Sequence, residues 1–119
     1  IYCTSLGKAI LAYTDEELRK QVISRVKFER KTARTIVSRL ELNQNLEEIR
    51  RLGYAVDDRE MEEHMKCVGA PVFASDGSVL GAISVSSLYK PEENYTVLGQ
   101  AVAKKAAEVS KLLGFLGKI

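Results

Sequence analysis

The 119-residue chain has few of the residues on which metal and disulfide chemistry depend. It contains two cysteines, Cys3 and Cys67, and a single histidine, His64. The cysteines form neither a CxxC pair nor a zinc-ligand spacing, so we expect no metal site and no resident cofactor. Two cysteines are also too few for a disulfide scaffold, which favours a reducing compartment, the cytoplasm.

Long apolar runs and a charge excess are missing as well. The longest apolar run, residues 68–74, is too short to span a membrane, and no charged leader followed by an apolar stretch opens the chain. We therefore expect neither a membrane partner nor a secretory signal. The 18 basic residues nearly balance the 16 acidic ones, so composition alone does not favour nucleic acid binding.

The composition is that of a globular protein, with 45% hydrophobic and 29% charged residues. The length fits one domain, residues 1–119, and is sufficient for a hydrophobic core without cross-links. Because the chain begins with Ile1, we interpret it as an N-terminally truncated fragment of a longer protein.

Four segments carry helix signals. Thr4 and Ser5 precede a short helix that ends at Tyr13, and residues 14–17 read as a capping box that opens a second helix. Asn43 is the predicted cap of a third helix, with Gly53 as its left-handed end. A long helix after Pro91, broken by Gly114, is predicted from apolar residues at helical spacing: Tyr95, Leu98, Val102, Val109, Leu112 and Leu116.

Three segments read as strands. Residues 54–57 form a short one, and residues 66–74 and 79–87 flank an Asp76-Gly77 pair, which is a strong hairpin signal. Residues 35–37 are a strand or a loop. Helices before and after an antiparallel hairpin predict an α+β domain, in which flanking helices pack against an antiparallel sheet.

The hairpin turn fixes which side chains share a face of the sheet. With Asp76-Gly77 at its centre, Cys67 faces Ser86 and Gly69 faces Ser84, and all four fall on one side. Buried hydroxyls without partners cost about 1–3 kcal/mol each. A small polar ligand, water or another strand could supply those partners, and the alternative is that this face is simply exposed to solvent.

Five short motifs occur in a fixed order: TSLGKA at 4–9, RRLGYAVDD at 50–58, CVGAPVF at 67–73, DG at 76–77 and AISVS at 82–86. In that order they resemble the C-terminal effector-binding domain of IclR-type bacterial transcription regulators. The resemblance implies a GAF-like (profilin-like) fold that senses a small metabolite and assembles into a homodimer or homotetramer. It also implies that DNA is bound only through a winged helix-turn-helix domain, which these residues do not contain.

The same resemblance implies a set of ligand-binding residues. Ser5 and Leu6 would contribute backbone N–H groups at the first helix start, where a helix end attracts anions. Asp57, Cys67, Ser84 and Ser86 would line the pocket, and the family's effectors are often small organic acids. His64 departs from the family pattern, which often has glycine at this point.

Two alternatives come from other functional classes. The first is a cysteine-dependent enzyme with Cys67 as nucleophile and His64 or Asp57 assisting, and the second is a dimerisation module without a ligand. Three residues along a strand place His64 and Cys67 on opposite faces, so we predict a protein that is not an enzyme. A further prediction concerns a basic stretch, expected to be solvated surface rather than a DNA contact: Arg25, Lys27, Arg30, Lys31, Arg34 and Arg39.

Overall fold

The computed structural model describes residues 2–117. In this range it has four helices and one three-stranded antiparallel sheet of order β1-β2-β3. The elements are α1 (Ser5–Tyr13), α2 (Glu16–Ser24), α3 (Arg39–Leu52), β1 (Ala55–Asp58), β2 (Met65–Phe73), β3 (Val79–Leu88) and α4 (Tyr95–Leu112). The predicted α+β class is confirmed.

The β2–β3 hairpin has the predicted register. Cys67 pairs with Ser86 and Gly69 pairs with Ser84. The turn is closed by the Ala74 N–H, which donates to the Ser78 carbonyl at 2.9 Å, and Gly77 has the positive φ of 89° that the turn requires. The register shifts at a bulge between Val72 and Phe73, next to the turn and away from the polar face.

Helices cover both faces of the sheet, and each face has its own hydrophobic cluster. On one face, α1 and α3 pack together through residues such as Ala9 and Leu46, and Ala55 of the sheet belongs to this cluster. On the other face, α4 contributes Val102 and Ala106 to a cluster with β2. The face predicted to be polar is therefore covered by α1.

Two helix starts differ from the predictions. Asp15, not Thr14, caps α2, because Thr14 ends α1 and its hydroxyl donates back to the Ile10 carbonyl at 2.8 Å. Ser38, not Asn43, caps α3 by accepting the Glu41 N–H at 3.2 Å. Sequence patterns allow several candidate caps in each segment, and the path of the chain between helices selects one.

Of the two alternatives for residues 35–37, the structure has the loop. One further prediction requires correction, because Leu116 lies beyond α4, which ends at Leu112 before the left-handed Gly114 (φ 96°). Leu116 is 91% exposed, so its match to the helical spacing was coincidental. The left-handed end of α3 at Gly53 is confirmed by its φ of 87°.

Candidate ligand-binding site

The polar face is organised as two rows that cross the sheet. Asp57, Cys67 and Ser86 are successive register partners on β1, β2 and β3 and form the first row. Because side chains two residues apart share a face, Gly69 and Ser84 lie in the neighbouring row on the same side. The structure thus brings together four of the predicted site residues: Asp57, Cys67, Ser84 and Ser86.

The N-terminal end of α1 lies directly on these rows. A Cβ atom at Gly69 would lie 3.0 Å from the Ser5 hydroxyl and 3.1 Å from the Ser5 backbone. This distance is tighter than ordinary packing, so glycine is what allows α1 to come this close to β2. Ser5, the fifth predicted site residue, is fully buried in this contact.

The Cys67 thiol is bracketed by two serine hydroxyls. Ser5 Oγ lies 2.7 Å from the sulfur, and the Ser86 hydroxyl donates to it at 3.1 Å. Ser5 is buried whereas Ser86 is exposed, so the row opens to solvent on the β3 side. The thiol therefore lies among neutral hydrogen-bonding groups, one of them buried and one exposed.

The Asp57 carboxyl is buried at the other end of the first row. Its Oδ1 accepts the Glu60 backbone N–H at 2.8 Å. Burial raises the pKa of Asp57, and this rise is opposed by the Glu60 N–H and by the nearby Lys8 charge. Backbone N–H groups of Glu60 and Met61 thus hold the carboxyl in one orientation.

A buried ion pair lies beside Asp57, and neither of its members was among the predicted site residues. Lys8 is fully buried, and its Nζ lies 2.9 Å from Glu60 Oε2 and donates to the Val56 carbonyl at 2.6 Å. Burial raises the pKa of Glu60, and the Lys8 charge opposes this. The Thr35 hydroxyl donates to the Glu60 carbonyl at 2.6 Å, which connects the loop between β1 and β2 (residues 59–64) to residues 31–35.

One signal in the sequence could have identified Lys8. It lies with Ser5, Ala9 and Ala12 on the buried stripe of α1, at the spacing of one helix face. A lysine within such a stripe requires a buried acidic partner, and residues 57–63 are rich in acidic residues. The spacing does not, however, identify which carboxylate pairs with it.

The sequence predicts an anion site at the start of α1, through the backbone N–H groups of Ser5 and Leu6. The first N–H groups of a helix lack acceptors within the helix, and the helix dipole adds positive potential there. The Gly7 N–H is already taken by the Thr4 hydroxyl at 3.0 Å. The Leu6 side chain is exposed, so its role in a site would be confined to its backbone.

The arrangement does not support cysteine nucleophilic catalysis. Both hydrogen-bond partners of Cys67 are serine hydroxyls, and His64 is an exposed residue in the turn before β2. A nucleophilic thiol needs an adjacent base or cation. Among residues 2–117, no cluster of three or more His, Cys, Asp or Glu side chains could hold a metal ion, and no helix has the length and hydropathy of a membrane span.

Comparison with known proteins identifies the family. The family model of the bacterial transcriptional regulator IclR C-terminal region matches residues 1–111. The chain belongs to the IclR C-terminal family. The HTH-type transcriptional regulator KdgR of Escherichia coli K12, a similar protein, is 33% identical over 117 residues, which are 97% of this chain and 44% of KdgR.

Two further members of the IclR family are also similar to this chain. The transcriptional repressor AllR of E. coli K12 is 31% identical over 116 residues, which are 96% of this chain and 43% of AllR. The crystal structure of Thermotoga maritima IclR matches with a TM-score of 0.86 and 35% identity, over 96% of this chain and 47% of that one. The chain spans less than half the length of these relatives.

The family assignment bears on two predictions. The resemblance to IclR-type regulators is confirmed by the family model, by the curated relatives and by the fold of T. maritima IclR. The prediction that the protein is not an enzyme is confirmed, because the curated relatives are transcriptional regulators. The ligand-binding roles of the six site residues remain predictions.

Proposed function

We propose that this chain is the ligand-sensing and oligomerisation part of an IclR-type regulator, with a small organic acid as its effector. DNA would be bound by an N-terminal winged helix-turn-helix domain outside residues 1–119, and the regulator would act in the cytoplasm. The family match and the transcriptional roles of KdgR and AllR support this proposal.

The observation that carries the proposal is the Asp57–Cys67–Ser86 row beneath the N-terminal end of α1. A carboxylate placed between α1 and β3 would meet the Leu6 N–H, the helix dipole and the hydroxyls of Ser84 and Ser86. Such contacts are charge-assisted hydrogen bonds, which are stronger than those between neutral groups.

The charges around the row favour an acid that also carries a hydrogen-bond donor. The Lys8 ammonium is held by Glu60 and Val56, so the ligand carboxylate would depend on neutral donors. The Asp57 carboxyl is oriented by the backbone N–H groups of Glu60 and Met61, and it would accept a further hydrogen bond from a ligand hydroxyl. A hydroxy acid or a hydrated keto acid supplies both groups in a small volume.

Effector binding would act on DNA binding through subunit arrangement. A ligand shifts an equilibrium between two arrangements only by its difference in affinity for them. Exposed apolar side chains on β3 and α4, including Val85 and Val97, are consistent with a surface between subunits. These residues support oligomerisation and leave dimer and tetramer equally open.

The test is thermal unfolding with a panel of small keto, hydroxy, sugar and aromatic acids, on this chain and on the full-length regulator. A bound acid is expected to raise the melting temperature with its concentration. Ser84→Ala/Ser86→Ala should abolish the shift, whereas Ser87→Ala, the adjacent residue on the opposite face, should keep it. If no acid shifts the melting temperature of either protein, the sensor proposal is wrong.

The same variants address the alternative of a dimerisation module without a ligand. If the Ser84 and Ser86 hydroxyls serve only structure, removing them would change the melting temperature of the free protein. Any further shift caused by an acid would then stay the same. An acid response that persists in Ser84→Ala/Ser86→Ala would place the ligand elsewhere and overturn the proposed site.

A further inference from the structure

A second recess lies on the outer side of α1, away from the sheet. It has a volume of about 790 Å³ and lies between α1, α2 and the irregular segment 25–31. This volume is in the range of small-molecule pockets, about 300–1,000 Å³. We refer to it as the α1–α2 recess. None of the six predicted site residues lines it.

The surface of the α1–α2 recess is mainly apolar. Cys3 and Leu11 are buried, whereas Ile10, Leu18 and Val22 line the recess and are 37–52% exposed. Ile10 belongs to α1, and Leu18 and Val22 are one turn apart on α2. The two helices thus present hydrocarbon to the recess that is not covered by the rest of residues 2–117.

The charge of the α1–α2 recess comes from one segment. Arg25, Lys27 and Lys31 line it from the chain that follows α2, opposed by Glu29 alone. Within residues 2–117 none of the three basic side chains makes an ion pair or a side-chain hydrogen bond. The recess therefore carries a net positive charge on a single side.

The other half of the basic stretch is engaged by the protein. Arg30 donates to the carbonyls of Thr32 and Ala33, Arg34 pairs with Asp58, and Arg39 donates to the Ser24 carbonyl. All six basic residues are exposed, as predicted, but they divide into three with protein partners and three at the recess. This division is the feature that the sequence alone did not show.

We propose that the α1–α2 recess binds an amphiphilic carboxylate, a molecule with one anionic end and a hydrocarbon body. The hydrocarbon would lie against Ile10, Leu18 and Val22, and the carboxylate would meet Lys27 and Lys31. The positive charges of the recess all come from segment 25–31, so they suit a ligand with one anionic head group. An acidic helix would suit them less well, because its charges would be distributed along its length. This site is distinct from the proposed effector site and shares none of its six residues.

The test is isothermal titration of the chain with decanoate and with decyltrimethylammonium, both below their micelle concentrations. The two probes share a chain length and differ in the sign of the head group. Decanoate is expected to bind saturably at one site, and the cationic probe to bind at least tenfold more weakly. Equal binding of the two would overturn the proposal, because charge would then not contribute.

Matched variants locate the site. Lys27→Glu/Lys31→Glu should weaken decanoate at least tenfold, whereas Lys90→Glu/Lys104→Glu, an equal change of net charge at other exposed positions, should leave binding unchanged. Leu18→Gln/Val22→Gln should weaken both probes, and circular dichroism of each variant reports that it is folded. Binding that survives Lys27→Glu/Lys31→Glu, or an acidic amphipathic peptide that binds where decanoate does not, would show the proposal to be wrong.

Discussion

Lys8 Nζ lies 2.9 Å from Glu60 Oε2, although the two residues are 52 positions apart in the chain. The pair joins α1, which lies over the polar rows, to the loop that holds Asp57 through the Glu60 N–H. The Thr35 hydroxyl binds the same loop from a third segment. Three distant parts of the chain therefore meet at one buried charge pair.

Loss of one member of this pair should be costly. Lys8→Met leaves the Glu60 carboxylate buried without its partner, which typically costs about 3–5 kcal/mol of unfolding free energy. Lys20→Met removes an exposed pair with Glu16 and should cost under about 0.5 kcal/mol. Urea unfolding measures both. A Lys8→Met cost no larger than that of Lys20→Met would contradict a structural role for the buried pair.

Asp57 and Asp58 should respond to pH in opposite directions. Burial raises the pKa of Asp57, so the folded state holds that proton more tightly than the unfolded chain does. The stability that Asp57 contributes is therefore complete below a pH of about 4 and is lost as pH rises through its folded-state pKa. The stability advantage of the wild type over Asp57→Asn should shrink between pH 4 and pH 7.

Asp58 is the matched control for this measurement. Burial alone would raise the pKa of Asp58, but hydrogen bonds from Arg59 and Tyr95 and the charge of Arg34 outweigh it and lower the pKa. Its contribution is present above a pH of about 4 and is lost as pH falls through the lowered pKa. Urea unfolding across pH gives the difference in unfolding free energy between the wild type and each variant. This difference should fall with rising pH for Asp57→Asn and rise for Asp58→Asn, and slopes of the same sign would count against these assignments.

Gly69→Ala should destabilise the protein and displace α1. The added Cβ would lie 3.1 Å from backbone atoms of Ser5, which cannot rotate away, so a cost of about 1–3 kcal/mol is expected. Gly81→Ala is the control on β3, because its Cβ would have no heavy atom within 4 Å. Thermal unfolding distinguishes the two. Equal effects would mean that α1 does not depend on the close approach at Gly69.

The proposed subunit surface can be tested with charge. Val85 of β3 and Val97 of α4 are exposed, and Val85 borders the same recess as several α4 residues. Val85→Asp/Val97→Asp should reduce the mass found by sedimentation velocity to that of one chain. Leu40→Asp, on α3, should not change it. A wild-type chain that is already monomeric at tens of micromolar, or dissociation by Leu40→Asp, would reject this surface.

The hairpin was predictable because its information is local. Asp76-Gly77 fixes the turn, and the two-residue period of a strand then determines that Cys67 faces Ser86 and Gly69 faces Ser84. The bulge at Val72/Phe73 lies on the turn side of these pairs and left them unaffected. The family resemblance added Ser5 and Asp57, which the hairpin alone could not supply.

Other features depend on contacts that no local pattern contains. Ser38 and Glu41 form the same capping pattern as Thr14 and Glu17. The structure uses the pattern at Ser38 but not the one at Thr14, and the path of the loop before each helix decides between them. The Lys8–Glu60 pair depends on residues 52 positions apart. Likewise, the division of the basic stretch depends on which carbonyls and carboxylates lie within reach.

Helix α1 separates the two proposed sites, with Ser5 and Lys8 on its inner side and Ile10 on its outer side. It is only nine residues long, and Gly69 seats it directly on a strand. A short rigid rod cannot shift on one side without shifting on the other. A ligand on one side of α1 would therefore change the affinity for a ligand on the other side, and the factor would be the same in both directions. Either ligand would then influence the DNA binding of a full-length regulator.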